Sequence, residues 1–214
     1  DPFTAYEPIT MIADAPLLAI VNPAVPARTL AELIIHLRAN PGKFNYGAPN
    51  SGSPTHLTGA ALSQFTGNSM VYIAYKGVAP MVQALLANDL QVAFPGLSGV
   101  VAQLKAGKLR ALAVMAKERM AELPEVPTMV EAGFPQLTGT NWWAMAAPRG
   151  TPARIIDRLA AEVRAVLAEP EVRKRFAGLG HAAVGMTPAE TAAFIKAESA
   201  RYREIIEKGK ITLQ

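Results

Sequence analysis

The sequence has 214 residues, is half hydrophobic, contains no cysteine and carries a formal charge of +4. That length suffices for a substantial core in one large domain or two small ones, and the lack of cysteine excludes a disulfide framework, a thiolate nucleophile and thiolate-bound metal. Charges or prolines interrupt every apolar run, and Asp1-Pro2-Phe3 opens without a signal-peptide pattern, so a soluble globular chain is expected.

Ile9 to Val21 is apolar and broken at Asp14-Ala15-Pro16, which predicts two strand pieces or one bent strand. Thr29-Leu30-Ala31-Glu32 is a capping box opening a helix with Leu30, Leu33, Ile34 and Leu37 on one face. Phe44-Asn45-Tyr46 reads as a strand, followed by a loop of small residues and a helix from Ser53 to about Phe65. Val71 to Tyr75 is a strand and Val78 to Ala87 a helix, with Gly77 as the break between them. Leu90 to Phe94 is another strand, Ser98 is placed to cap a helix through Lys105, and Leu109 to Met115 is β-rich. This alternation predicts an α/β fold with a mostly parallel sheet covered by helices on both faces.

Prolines between Leu123 and Thr128 predict a turn, with a short helix to Ala132 and an extended crossing segment from Gly139 to Ala147 containing Trp142 and Trp143. A helix from Thr151 is expected to turn Ile155, Ile156, Leu159, Val163 and Leu167 inward. A short helix from Glu171 and a strand near Ala182-Ala183-Val184 follow. A last helix from Thr187 is expected to bury Phe194, Ile195, Tyr202 and Ile205. The extended segment before residue 22 and the elements after residue 148 do not make a balanced sheet by themselves.

The stretch from Asn45 to Leu57 carries the clearest functional signal. Helix starts leave amide N–H groups unpaired and hold partial positive charge. Ser53 is placed as the N-cap, Pro54 suits the first helical position, and Asn50, Ser51 and Gly52 let a ligand approach the backbone. A carboxylate or phosphate fits such a place, especially beyond the carboxyl end of a strand. Thr151-Pro152 and Thr187-Pro188 repeat the capping device without a glycine-bearing loop before it, so capping alone does not imply binding. Ser53 stands where a phosphate-binding P-loop needs lysine, which argues against a nucleoside triphosphate.

Other chemistries lack their residues. His36, His56 and His181 are isolated, without metal-ligand spacing, and neither a metal nor a cofactor is expected. Ser53 and His56 lie three apart with no acid placed to orient the imidazole, so a serine hydrolase is a minor alternative and no enzyme is expected. Arg173-Lys174-Arg175 follows Glu169 and Glu171 as a solvated helix face, and no nucleic-acid partner is expected.

A set of motifs in order along the chain resembles one family. These are Asn22-Pro23, Pro41 to Tyr46, Ser53 to Leu57, Tyr75-Lys76-Gly77, Ala106 to Val114, Leu123 to Thr128 with Glu131-Ala132-Gly133, and Ala147 to Pro152. They resemble the Bug receptors, the periplasmic solute-binding receptors of tripartite tricarboxylate transporters. The resemblance implies a type II periplasmic binding protein-like fold with two α/β lobes, a small carboxylate ligand, membrane transporter subunits as partners and a periplasmic location. It places residues 22–146 in the ligand-binding lobe and residues 1–21 and 147–214 in the other, hinged near Val21-Asn22 and Met145-Ala146. That other lobe is expected to be incomplete, because family members begin with a segment not found here; its apolar surface would be open to association. By resemblance the ligand contacts map onto Ala48, Asn50, Ser51, Ser53, Thr55, Tyr75, Lys76 and Gly77, with Gly52 giving the ligand access. The backbone of Lys76 ranks above its ammonium. Where many relatives carry an acidic or amide residue after the strand ending at Phe94, this chain has Pro95-Gly96-Leu97, which leans toward a plain carboxylic acid over an amino acid. A ligand-sensing domain of a signalling system remains an alternative.

Overall fold

The computed structural model describes residues 2–67 and 70–212, and these described residues fall into two compact units: one from residues 2–15 and 141–203, the other from 16–67, 70–140 and 204–212.

In the first unit, helix α1 (Pro2–Ala5) leads into strand β1 (Tyr6–Pro16). Strand β1 lies between β7 (Thr140–Pro148) and β8 (Ala182–Ala183) in a three-stranded sheet, antiparallel to β8. Helices α6 (Ala153–Ala168), α7 (Pro170–Gly178) and α8 (Pro188–Gly209) complete the unit, the end of α8 being grouped with the second unit. A small core of Ile9, Ala147, Ile156 and Ala160 forms, with Met145 packed against it. Thr191, fully buried, ties α8 to β1: its Oγ1 accepts from the Met11 N–H at 3.1 Å and donates to the Thr187 carbonyl at 2.8 Å.

The apolar stripe of α6 is wider than the sheet can cover. Ile156 and Leu167 are buried as expected and Val163 half-buried, whereas Ile155 and Leu159 are 42% and 39% exposed. Ala160, a small residue on the buried line, takes the place expected of the larger ones. Likewise Phe194, Ile195, Tyr202 and Ile205 on α8 are only half-buried.

The second unit contains a five-stranded sheet in the order β4-β3-β5-β2-β6. These strands are β2 (Leu18–Val21), β3 (Asn45–Ala48), β4 (Val71–Ala74), β5 (Val92–Ala93) and β6 (Arg110–Val114). Strand β3 runs parallel to β4 and β5, but β2 runs antiparallel to β5 and β6. Strands β3, β4, β5 and β6 thus share one direction, as the mostly parallel sheet expected requires, and β2 opposes them.

Strand β2 shows why the sheet is covered on both sides. Leu17, Ala19 and Val21 enter one core with α2 (Leu30–Ala39) and α3 (Pro54–Phe65); Leu18 and Ile20 enter the other with α4 (Val78–Ala87) and the loop before α5 (Val101–Lys105). The capping box is present: Thr29 Oγ1 accepts from the Glu32 N–H at 3.1 Å, and the Glu32 carboxylate accepts from the Arg28 N–H. Buried Asn22 donates to the Leu85 carbonyl at 2.7 Å and accepts from the Ala24 N–H, a structural use of the Asn22-Pro23 motif.

Two local expectations change. Ser98 does not cap α5; Leu97–Gly99 forms a separate 3₁₀ turn, and Gly99 passes so near Val78 that a Cβ there would meet its side chain at 2.8 Å. Residues 129–133 form turns rather than a helix, closed by reciprocal bonds between Thr128 and Glu131.

Candidate functional site

Strands β3, β4 and β5 are adjacent and mutually parallel, and past the carboxyl end of each a helical turn begins. Helix α3 starts after Ser53, α4 after Gly77, and the 3₁₀ turn after Gly96. Three amino-terminal helix ends thus follow adjacent strand ends, the arrangement in which α/β sheets hold anions. Gly77 has φ of 121°, a backbone shape that favours glycine, and offers no side chain to cap α4. A Cβ at Gly96 would meet nothing within 4 Å, so the backbone there faces open space.

The loop from Ala48 to Ser53 is held more firmly than its composition suggests. Ser53 sits in extended backbone geometry and its Oγ accepts from the His56 N–H at 3.3 Å, the expected N-cap bond. The same Oγ donates to the Asn50 carbonyl at 2.7 Å, and the Ser53 N–H donates to that carbonyl at 3.3 Å. The Gly52 N–H, at a φ of 76°, donates to His56 Nδ1 at 2.9 Å.

These bonds correct the expectation of an unpaired run of amides. Gly52, Ser53 and His56 spend theirs within the loop, and Pro54 has none. The N–H groups of Asn50, Ser51 and Thr55 have no partner among the described residues. Those three amides and the Ser51 hydroxyl are the donors the loop leaves for an anion.

The remaining expected contacts divide. Ala48 is fully buried, so only its backbone reaches the strand end. Tyr75 keeps its N–H on the Ala48 carbonyl, but its ring turns inward against Gly47, where a Cβ would collide with Leu90 and Met81. Burial, and then the Asp89 carboxylate, hold the Tyr75 phenol above its ordinary pKa. Its side chain therefore packs with the core, and its backbone alone remains at the crevice. Lys76 is exposed.

His56 is the residue the sequence undervalues. It is 4% exposed, stacked on Tyr72 with ring centroids 3.9 Å apart, and within 6.1 Å of the Tyr46 ring. Burial lowers its pKa, so the imidazole is neutral at neutral pH, and because Nδ1 accepts the Gly52 N–H, the proton lies on Nε2. Its spacing of four from Gly52 was the only signal, and a weak one.

A groove of about 700 Å³ borders the loop through Ser51, His56 and Ala74 and extends along α3 past Tyr72 to Gln64. Ser53 Oγ engages the His56 backbone and not its imidazole, so the nucleophile and base of a hydrolase are not joined. Among the described residues no cluster of histidine, aspartate and glutamate could hold a metal ion.

A family model described as the tripartite tricarboxylate transporter family receptor matches residues 1–211. Protein BugT of Bordetella pertussis is 32% identical over 201 residues, which covers 94% of this chain and 62% of BugT. A solved R. palustris protein with adipate superposes with a TM-score of 0.87 at 31% identity, covering 100% of this chain and 72% of that one. MatC from Rhodopseudomonas palustris, with bound malate, superposes with a TM-score of 0.79 at 25% identity, covering 94% of this chain and 69% of MatC. The chain spans about 60% of the length of the curated relatives it matches.

Proposed function

Because this chain belongs to the tripartite tricarboxylate transporter receptor family, whose fold is that of periplasmic solute-binding proteins, we propose that it is a periplasmic receptor capturing a small di- or tricarboxylate for a membrane transporter. The observation that carries this reading is the convergence of three amino-terminal helix ends at adjacent strand ends, with amides left over at Asn50, Ser51 and Thr55. Bound malate in MatC and adipate in the R. palustris protein support an organic acid as ligand. Pro95-Gly96-Leu97 supplies no side-chain acceptor for an ammonium group, which favours a plain acid over an amino acid. Such a receptor has no chemistry of its own.

In this reading residues 22–146 form the ligand-binding lobe, and residues 1–21 and 147–214 belong to the other. Further polypeptide would cover the exposed apolar side chains of α6, in keeping with the share of its relatives' length that this chain spans.

Calorimetry of the full-length receptor with adipate, malate, succinate, citrate, aspartate and glutamate tests the proposal. Saturable heat with one of the plain acids, and none with the two amino acids, is expected. Tight aspartate binding would remove the ligand class. Turnover of an ester that disappears in Ser53→Ala would replace the receptor with an enzyme.

A further inference from the structure

We propose that His56 is the positioning residue of this site: by accepting the Gly52 N–H it fixes which amides of the loop at 50–55 face the acid. The proposal rests on the carboxylate reading above and names the device that gives the loop its shape.

The donor in this bond is a backbone N–H, so the acceptor role of Nδ1 is settled by chemistry and not by a choice of tautomer. A ring protonated at both nitrogens has no lone pair for Gly52. The imidazole cannot swing away from the bond either, because it is buried and stacked on Tyr72 at 3.9 Å with an interplanar angle of 22°. Tyr46 and Tyr72, a registered pair on β3 and β4, are the titratable side chains in ring contact with it. Lys208, which lines the same groove, pairs with Glu204 at 2.6 Å.

Gly52 lies between Ser51 and the Ser53 cap. The Gly52 amide turns back toward the helix, while the Ser51 and Thr55 amides have no partner among the described residues. Without an acceptor at position 56, the Gly52 N–H would compete for the ligand or for water, and the positive φ at Gly52 would lose its restraint. His56 thus acts on the ligand through the loop, without touching it.

Two substitutions separate this role from simple core packing. His56→Asn keeps an oxygen acceptor where Nδ1 stands but loses the ring, and His56→Phe keeps a ring for the stack but loses the acceptor. Positioning predicts that His56→Phe weakens binding of the acid that the wild type takes up in calorimetry by about tenfold or more, whereas His56→Asn stays within about threefold. Core packing predicts the reverse order, following the loss of thermal stability.

Proton NMR of the ligand-free protein gives an independent readout. The Gly52 amide is expected to exchange slowly with solvent in wild type and in His56→Asn, and faster in His56→Phe. Wild-type affinity and slow Gly52 exchange in His56→Phe would overturn the proposal. If the wild type binds none of the acids, the receptor reading falls, and the exchange rates alone decide whether His56 locks the loop.

Discussion

The two units use the same building material and reach different degrees of burial. The sheet of the second unit is sandwiched between two cores, with Leu33, Phe94, Met81 and Leu85 fully enclosed. The first unit has a core of Ile9, Ala147, Ile156 and Ala160, while Ile155, Leu159, Val166 and Leu179 stay exposed. The strongly amphipathic pattern of α6 shows which side chains favour burial; the three strands of its sheet decide how many obtain it. The candidate site belongs to the well-packed unit, in keeping with the need for amides held in fixed positions.

Core truncation gives the largest expected contrast. Leu33→Ala should destabilise the second unit by about 3 to 4 kcal/mol, because a fully buried leucine leaves a cavity in both the α2 face and the sheet. Leu159→Ala, at a half-exposed position of the first unit, should change stability by about 0.5 kcal/mol or less. Both tryptophans, Trp142 and Trp143, lie in the first unit, so indole fluorescence follows that unit alone during urea unfolding. The fluorescence transition is expected at lower urea than the main loss of far-ultraviolet circular dichroism. Coincident transitions would break the comparison.

Two glycines sharpen it. Gly59, in the middle of α3, lies under the Tyr46 ring, where an added Cβ would come within 2.2 Å of the aromatic carbons. Gly59→Ala should therefore lower stability by about 1 to 3 kcal/mol, although alanine is the better helix former. Gly178, closing α7 in the first unit, has nothing within 4 Å of such a Cβ. Gly178→Ala should raise stability by about 0.5 kcal/mol. Thermal unfolding of both variants checks the opposite signs.

What was legible in the sequence was local. The Ser53 cap with Pro54, the Thr29 and Glu32 box and the buried stripe of α2 follow from interactions between residues three or four apart, and the structure forms all of them. The antiparallel course of β2 was hidden because a four-residue apolar run carries no direction. The exposure of Ile155 and Leu159 was hidden because a stripe states a preference and not the area available to satisfy it. The site was half legible. Its place on the chain came from loop composition, but the inward turn of Tyr75 depends on the space left at Gly47, and the pairing of the Gly52 amide depends on a ring held by Tyr46 and Tyr72 from other elements.

The pH dependence of stability sets Asp14 in the first unit against His56 in the second. Asp14, on β1 of the first unit, has its pKa raised from the ordinary 3.8 to about 6, mainly by burial, with the Ala15 N–H opposing and the Glu198 carboxylate adding to the rise. A carboxyl raised in the folded state binds protons more readily than in the unfolded chain, so its contribution to stability is full below pH 3.8 and disappears as pH rises through about 6. His56 in the second unit is lowered by burial, so its contribution is full above its ordinary value of 6.5 and declines as pH falls below it. His181 in the first unit is also lowered by burial and opposes Asp14, so the carboxyl is read by difference. Between about pH 7.5 and about pH 5, wild type should gain about 1 kcal/mol over Asp14→Asn in the fluorescence-monitored unfolding of the first unit, a figure discounted for the half-exposed carboxyl. Equal pH dependence in the two proteins would mean that water reaches Asp14 as freely in the folded unit as in the unfolded chain. The half-covered sheet would then be open even where β1 pairs with β8.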